Sequence, residues 1–359
     1  MADVQPFRAV RYSGAAGRLD DLVAPPYDAV SPDERALLYT RSPYNVVYLT
    51  LPESVEEARS LYREWLAEGI LLPENEPAAW LLVESFVGPD DVARERRGLV
   101  VSLAAEPYEA GSVLPHERTH PGIREERLRL LRATGVQPEP IFVLSESPLG
   151  IPTPQRPADV EADGSRLWRL DDTEPESLVD GPLLIADGHH RYESAVELGS
   201  ELPAGARIMA LVVSTADPGL HVFPTHRVFS ARPDLAALRE GEGCESLAEA
   251  LEWLAAEPYA RAAAVAYRRD RVELVLGEEG ELDVTLVDRH GLEGIAYTPH
   301  TAEPLGLVDR GEASVAYVLR APRVEDVFAV ARRGERMPQK STYFFPKPLS
   351  GLLFHPVGC

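Results

Sequence analysis

The sequence predicts an α/β fold with a mixed sheet, in a larger chain of two parts. Short apolar strand candidates alternate with helices that begin at capping motifs, and several strands are separated by tight turns, as in hairpins. The 359 residues, 45% of them hydrophobic, suffice for a large core. We expect a first part at residues 1–230 and a second at 231–359, whose segment 337–347 returns to the first.

The first part opens with a strand candidate at residues 7–12. The Pro-Pro pair at 25–26 then forces an extended loop, which carries Asp28. Helices are expected to begin after Ser31 and Ser54, because each serine is followed three residues later by a glutamate, which is a capping box. The loop of Asp28 is therefore held between prolines and a helix.

Further elements follow in the first part: strands at 79–86, 98–103 and 141–144, a loop at 114–122 and a helix at 123–134. Residues 148–181 are rich in Pro, Asp and Glu and are typical of a surface excursion, apart from a strand candidate at 167–170. A buried strand is expected at 208–213.

The stretch Leu183–Glu193 predicts a buried strand, a tight turn and a helix that ends at Gly199. Gly188 lets the backbone approach a ligand closely, and the first N–H groups of a helix attract anions. Arg191 can bind phosphate through two hydrogen bonds and His190 can donate one. Asp187 either binds Mg²⁺ or caps the helix, and the sequence leaves both open.

The second part begins with a glycine-rich and charged boundary at 231–245 and a helix after Ser246. Its remaining candidates are strands at 262–267, 272–276, 282–286, 314–319 and 351–355 and a helix at 323–333. Both lysines of the chain, Lys340 and Lys347, lie within 337–347 although the chain has 36 basic residues. This concentration indicates that an ammonium group is needed in that segment.

Composition excludes several functional classes. A net charge of −22 repels nucleic acid and anionic membranes, while still allowing a small phosphorylated ligand in a locally basic cleft. Two cysteines provide neither a disulfide framework nor a CxxC metal site. No apolar stretch is long enough to span a membrane and no signal peptide is indicated, so a cytoplasmic location is expected.

Other candidate residues lie on loops. His116, Glu117 and Arg118 offer an acid or base beside a cation, and His226 with Arg227 repeats that pairing. Asp28 is either a general base or the acceptor of an Asx-turn. Lys340, flanked by Ser341 and Thr342, could neutralise phosphate charge, whereas Lys347 is expected only to cover neighbouring phenylalanines.

His189 and Glu193 are four residues apart on one helix, which is the spacing of a two-ligand metal pair. A third ligand at a familiar spacing is missing. The Walker A, GxGxxG, GxSxG and HExxH motifs are also absent, so the common nucleotide-binding, hydrolase and zincin interpretations lose their main support.

Seven blocks together resemble a bacterial and archaeal family of unknown function. They are Ala24–Asp28, Pro43–Val47, His116–Thr119, Pro140–Phe142, Ala186–Glu193 (Ala-Asp-Gly-His-His-Arg-Tyr-Glu), Pro224–Arg227 and Met337–Phe344 (Met-Pro-Gln-Lys-Ser-Thr-Tyr-Phe). The resemblance covers nearly the whole chain in order, but it implies membership without a function.

The Gly-His-His-Arg block also resembles the phosphate-binding box of the ParB/sulfiredoxin-like superfamily, which implies a core of that type. By this similarity Gly188, His190 and Arg191 would contact nucleotide phosphates. His189 stands where sulfiredoxins have their reactive cysteine, so reductase chemistry is not implied. The free-serine kinases of the superfamily use a carboxylate base from an early loop, which makes Asp28 the position to test.

These observations lead to one hypothesis: an enzyme that binds ATP, ADP or CTP with Mg²⁺ and transfers a phosphoryl group to a small hydroxyl metabolite such as serine. The expected catalytic residues are Asp28, Glu117, His189 and Lys340. The expected phosphate-binding residues are Gly188, His190, Arg191, His116, Arg118, His226, Arg227, Ser341 and Thr342. The expected metal ligands are Asp187 and Glu193. Two alternatives stay open, a non-catalytic nucleotide switch of the ParB-like type and a metal-dependent phosphatase or hydrolase. The oligomeric state is also open.

Overall fold

A large mixed sheet organises the protein in the computed structural model, which describes residues 1–230, 241–289 and 295–357. Its strands are β1 (Val4–Gln5), β4 (Ala79–Val87), β5 (Ala93–Ala104), β6 (Val113–Leu114), β8 (Ile141–Ser145), β9 (Val160–Ala162), β10 (Ser165–Leu170), β11 (Leu183–Asp187) and β12 (Arg207–Ser214). Two small pairs accompany it, β2 (Val10–Tyr12) with β3 (Leu71–Pro73), and β7 (Val136–Gln137) with β21 (His355–Pro356).

The order of the large sheet is β6-β11-β8-β12-β5-β4-β10-β9, with β1 on β5. β11 is parallel to β6 and β12 is parallel to β8, whereas β11 with β8 and β12 with β5 are antiparallel. The predicted mixed α/β fold is therefore confirmed. β11, which leads to the Asp187 turn, is flanked on both sides and is completely buried from Leu183 to Ile185.

The helices of the described residues are α1 (Pro32–Arg41), α2 (Val47–Thr50), α3 (Val55–Ala67), α4 (Pro121–Thr134), α5 (His189–Gly199), α6 (Leu247–Ala256), α7 (Asp283–Asp288), α8 (Ala302–Asp309) and α9 (Val324–Arg332). Ser31, Ser54 and Ser246 each accept a hydrogen bond from the backbone N–H of the glutamate three residues later, as the capping boxes predict. α4 and α5 share an apolar core with the inner strands, through residues such as Leu131 and Tyr192.

A second sheet is antiparallel, in the order β15-β17-β16-β19-β14-β18. Its strands are β14 (His226–Phe229), β15 (Glu242–Cys244), β16 (Arg261–Tyr267), β17 (Val272–Glu279), β18 (Ile295–Thr298) and β19 (Val315–Val318). β14 precedes the expected division at residue 231, yet it pairs with two strands of this sheet. Part of the predicted boundary, residues 231–240, lies outside the described ranges.

Two of the predicted strands are wrong. Residues 283–288 form helix α7, in which Val284 and Val287 are buried one turn apart; so short an apolar run fits either period. Asp283, at the start of this helix, accepts the backbone N–H of Ala263 at 2.8 Å. Of the strand predicted at 351–355 only His355 is in a strand, because the chain turns at Gly351, which has a φ of 89°.

The C-terminal segment returns across the first part. β20 (Tyr343–Phe345) pairs with β13 (His221–Phe223), and isolated bridges join Met337 to Glu117 and Ser350 to Ala24. The segment 337–350 thus links the His116 loop with the loop that leads to Asp28. Among the described helices, none has the length and apolar character required to cross a membrane.

Candidate functional site

The turn between β11 and α5 has backbone N–H groups that make no backbone hydrogen bond within the described residues. Gly188 has a φ of 98°, and a Cβ placed on it would lie 2.7 Å from Cγ2 of Ile141. Only glycine fits this position without strain. The N–H groups of Gly188, His189 and His190 donate to no other backbone group in the described part of the chain. Because they lie at the positive end of the helix dipole, they can receive an anion.

Lys347 joins the two carboxylates nearest to this turn. Its Nζ lies 2.5 Å from Oδ2 of Asp28 and 2.8 Å from Oδ1 of Asp187. Burial raises the pKa of Asp187, but Lys347 and Arg191 outweigh burial and lower it to about 2. Burial likewise lowers the pKa of Lys347, but the two aspartates leave it above its ordinary value. Asp187 and Lys347 are therefore both charged at neutral pH.

Arg191 differs from its predicted role. Its Nη2 donates to Oδ2 of Asp187 at 2.7 Å and its Nη1 donates to the carbonyl of Pro140 at 2.6 Å. Nη1 also lies 3.5 Å from Oε2 of Glu139. A guanidinium with these partners, in a side chain only 10% exposed, cannot also grip a phosphate in this conformation. In the structure Arg191 fixes the Asp187 carboxylate.

His116 connects the loop at 114–120 to its surroundings. Its buried ring lies with Nδ1 2.8 Å from the carbonyl of Ile185 and Nε2 3.0 Å from Oγ1 of Thr342. Nδ1 must carry the proton to donate to a carbonyl, so Nε2 accepts from the Thr342 hydroxyl. Burial lowers the pKa of His116 to about 4, which leaves the ring neutral. His116 and Thr342, both predicted to bind phosphate, are bonded to each other in this conformation.

Glu117 is a carboxylate near the turn for which one hydrogen bond is found among the described residues. Its Oε1 accepts the backbone N–H of Lys340 at 3.2 Å, and burial raises its pKa. Lys340 is exposed and has a φ of 55°, a conformation that is uncommon for residues other than glycine. Arg118 is exposed, and no contact of its guanidinium is found within the described ranges. Glu117 can exchange a proton, and the positive charges of Lys340 and Lys347 act on it.

The two histidines of the turn hold the neighbouring loop. Nε2 of His189 accepts the backbone N–H of His116 at 3.3 Å, and Nε2 of His190 accepts that of His120 at 2.8 Å. Burial lowers the pKa of His189 well below its ordinary value. A buried neutral ring that already accepts a hydrogen bond is poorly placed to transfer protons, so the geometry favours a positioning role for His189.

Glu193, predicted to form a metal pair with His189, is bonded to groups of the protein. Glu193 accepts the hydroxyl of Thr119 at 2.6 Å and that of Tyr108 at 3.3 Å, and lies 3.7 Å from Arg124. The described residues contain no group of three or more side chains suited to hold a metal ion. Glu193 instead fastens the loop at 116–120 to α5.

Arg227 lies in the second sheet and holds the segment that carries the two lysines. The guanidinium is completely buried, pairs with both carboxylate oxygens of Asp288 at 3.1 and 3.3 Å, and donates to the carbonyl of Lys340 at 2.8 Å. His226 accepts the N–H of Leu319 and bonds Thr301, while Ser341 donates to the carbonyl of Pro338. In this conformation these three side chains, which were predicted to bind phosphate, are bonded to groups of the protein.

Sequence reasoning missed the central cation. It selected Lys340 and gave Lys347 a covering role, although the concentration of both lysines in one segment had indicated a needed ammonium group. It also missed Glu139 and Arg96. Nη2 of Arg96 donates to the carbonyl of Pro346 at 2.8 Å and thereby fixes the residue before Lys347. No local signal marks an arginine 250 residues away in sequence.

The chain belongs to a family of proteins of unknown function, DUF1015, which it matches over residues 4–312. The expected membership of a family of unknown function is thus confirmed, although the matched residues end before the Met337–Phe344 block. A search of the curated proteins gave no match.

Several solved structures are similar at low identity. They include a free serine kinase in complex with AMP, at 15% identity and a TM-score of 0.45, covering 71% of this chain and 91% of that chain. A conserved hypothetical protein from Pyrococcus furiosus gives 16% identity and a TM-score of 0.41, covering 71% and 95%. SbnI from Staphylococcus aureus, truncated at its C-terminus, gives 14% identity and a TM-score of 0.42, and the match covers 68% of this chain and 82% of that chain. Similarity at this level assigns neither a ligand nor an activity to this chain.

Proposed function

We propose that this protein binds a nucleotide, ATP, ADP or CTP, at the Asp187–His190 turn and transfers a phosphoryl group to a small hydroxyl metabolite. The observation that carries the proposal is the meeting of Asp28 and Asp187 on the Lys347 ammonium, beside the open start of α5. Anion donors, paired carboxylates and a cation are the groups that phosphoryl transfer requires.

The phosphate cradle is the backbone of the turn. The N–H groups of Gly188, His189 and His190 have no backbone partner among the described residues, so they can bind phosphate oxygens without breaking an existing backbone bond. Arg191 acts indirectly by holding Asp187. This differs from the direct contact implied by the superfamily resemblance, which stays a prediction.

Asp28 and Asp187 are the proposed Mg²⁺ ligands. An oxygen from each lies within hydrogen-bonding distance of the same Lys347 nitrogen, so the two can reach one small cation. Mg²⁺ in phosphoryl-transfer sites is commonly held by one or two carboxylates together with phosphate oxygens. When bound, the ion would neutralise phosphate charge. Lys347, on its flexible stem, would then turn toward the phosphates.

Glu117 is the proposed general base. Its pKa is raised by burial, which brings it closer to the pH at which a carboxylate can accept and release a proton. The N–H of Lys340 orients one of its oxygens at 3.2 Å and leaves the other available. Asp28, the base expected from the early loop, is already bonded to Lys347, and we assign it to the cation instead.

A turnover assay tests the proposal. Wild-type protein is incubated with Mg²⁺, each nucleotide and a panel of hydroxyl metabolites that includes serine, and products are followed by phosphorus NMR. We expect a phosphorylated product with wild type and with Glu125→Gln, an acidic position on α4 outside the site. Glu117→Gln should bind nucleotide but lose turnover. Nucleotide binding without product from any acceptor would refute the transferase and favour a nucleotide switch.

A further inference from the structure

Aromatic side chains cover one face of the two-stranded ribbon that β13 and β20 form. Residues paired across an antiparallel ladder share a face, as do alternate residues of one strand. The register of the ribbon therefore places four rings on the same face: His221, Phe223, Tyr343 and Phe345. Phe344, between the last two, points the opposite way and is buried in the core. None of the roles assigned above involves the aromatic face.

Neighbouring groups hold these rings in place. Phe345 packs against Phe86 of β4, with ring centres 5.6 Å apart and planes at 72°, and against Phe223 at 6.1 Å. The centres of Tyr343 and Phe345 are 5.8 Å apart and their planes meet at 35°. Phe223 is buried, whereas Tyr343 and Phe345 are partly exposed. Fixed, partly exposed rings provide a surface on which a flat ligand can stack.

The start of β20 is tied to the end of β11. Oγ1 of Thr342, the residue before β20, lies 3.0 Å from Nε2 of His116, and Nδ1 of the same ring lies 2.8 Å from the carbonyl of Ile185. Ile185 is two residues before Asp187 in β11. The aromatic face therefore begins beside the turn at 187–190.

Tyr343 is close to the charged groups of that turn. Burial raises the pKa of its hydroxyl, and the charges of Lys347, Asp187 and Asp28 also act on it. In the described parts of the chain no hydrogen bond of this hydroxyl is found, so packing alone holds the ring. Tyr343 thus lies between the aromatic face and the groups proposed to hold phosphate and Mg²⁺.

We propose that the aromatic face binds the base of the nucleotide, a purine, by stacking on Tyr343 and Phe345. This inference deepens the proposed function and rests on it, since phosphates bound at the turn would bring the base to the neighbouring ribbon. Among the ligands considered, a nucleotide joins an anion to a flat ring, whereas a small hydroxyl metabolite such as serine has no ring. A purine has two fused rings and stacks more strongly than a pyrimidine, so ATP and ADP should bind more tightly than CTP.

Calorimetric titration of the full chain tests the inference. In the presence of Mg²⁺ the ligands are ATP, CTP and inorganic tripolyphosphate, which has the phosphates without a base. Wild type should bind ATP about tenfold more tightly than tripolyphosphate, as expected for one stacked base, with CTP between them. Tyr343→Leu should weaken ATP binding by about tenfold and leave tripolyphosphate binding unchanged. Tyr343→Phe keeps the ring and should bind ATP like wild type, which separates stacking from loss of the hydroxyl.

Tyr259→Leu is the matched control. Tyr259 is 43% exposed and packs against Arg320 and Arg323, so its replacement should change none of the three affinities. Circular dichroism verifies that each variant folds.

The base site and the nucleotide site can fail separately. Wild type that binds ATP and tripolyphosphate equally would overturn the base site and leave phosphate binding at the turn intact. Equal losses of ATP and tripolyphosphate in Tyr343→Leu, or loss of ATP binding in Tyr343→Phe as well, would overturn stacking on this ring. Equal affinities for ATP and CTP would overturn the preference for a purine. Wild type that binds none of the three ligands would contradict the proposed function, and the base site with it.

Discussion

At the scale of single residues, the site depends on which side chains are already paired. The turn glycine, the two aspartates and the need for an ammonium group could be predicted, because backbone strain and composition are visible in the sequence. The choice between Lys340 and Lys347 could not. It depends on the path of the tail, which places Lys347 between two aspartates that are distant in sequence. The present partners of Arg191 could not be predicted for the same reason, since Glu139 and the Pro140 carbonyl, just before β8, are distant from it in sequence.

The two lysines should therefore respond differently to the same substitution. Lys347→Met removes the cation between the Asp28 and Asp187 carboxylates and leaves Asp187 with Arg191 alone. We expect a loss of about 2 kcal/mol or more in the free energy of unfolding, less than for a fully buried pair because Asp28 is partly exposed. Lys340→Met, at an exposed position, should change it by less than about 0.5 kcal/mol. Urea titrations of the two variants make the comparison, and equal losses would contradict the assignment of Lys347.

At the scale of elements, the returning segment 337–350 assembles the site. Helix starts were predictable because capping bonds span only three residues, as at Ser31 and Ser54. The structure of short apolar runs was not predictable, as α7 shows. Over so few residues, neither the hydrophobic period nor the length distinguishes a strand from one and a half turns of helix. The contacts of the returning segment are long-range, with Arg227 and Arg96 as its anchors.

Arg227 should control the order of the lysine loop. Arg227→Met removes the bonds to Asp288 and to the Lys340 carbonyl, so backbone amides at 339–342 should exchange hydrogen faster. Arg320→Met is a matched control, because Arg320 also pairs with both oxygens of an aspartate, Asp283, but does not contact that loop. Exchange measured by mass spectrometry should accelerate at 339–342 only in Arg227→Met. Equal acceleration in both variants would mean a general loss of stability.

At the scale of the whole molecule, buried neutral histidines make contacts within each of the two sheets and with the tail. Burial lowers the pKa of His116, His226 and His355 to about 4 in each case. Their ring nitrogens bond β11, β19 and β5 respectively, through Ile185, through the N–H that follows β19, and through Ser102. The mixed fold that contains them was predictable from the alternation of strand and helix candidates. These contacts were not predictable, because histidine is found both in hydrophobic cores and in functional sites.

Acid should therefore destabilise the protein well before Asp187 titrates. A histidine with a folded pKa near 4 and an unfolded pKa near 6.5 binds more proton when unfolded, so its contribution is complete above pH 6.5 and is lost as the pH falls toward 4. Each histidine contributes at most about 3 kcal/mol. Asp187, with its pKa lowered to about 2, loses its contribution only below pH 4. Urea unfolding between pH 7 and 5 should show falling stability, with a smaller slope in His226→Gln. An unchanged slope in that variant would contradict this explanation.

The central claim is that the turn at 187–190 binds the phosphates of a nucleotide. Protein labelled with nitrogen-15 at glycine and histidine reports the amides of Gly188, His189 and His190 directly, among 26 glycines and nine histidines. The protein is titrated with Mg²⁺ and ATP, ADP or CTP in turn. For the nucleotide that binds, these three amides should show the largest changes in chemical shift. The chemical shift of the His226 amide, in the second sheet, should not change. Saturable nucleotide binding that leaves the three amides unmoved, or no binding of any of the three nucleotides, would contradict the account.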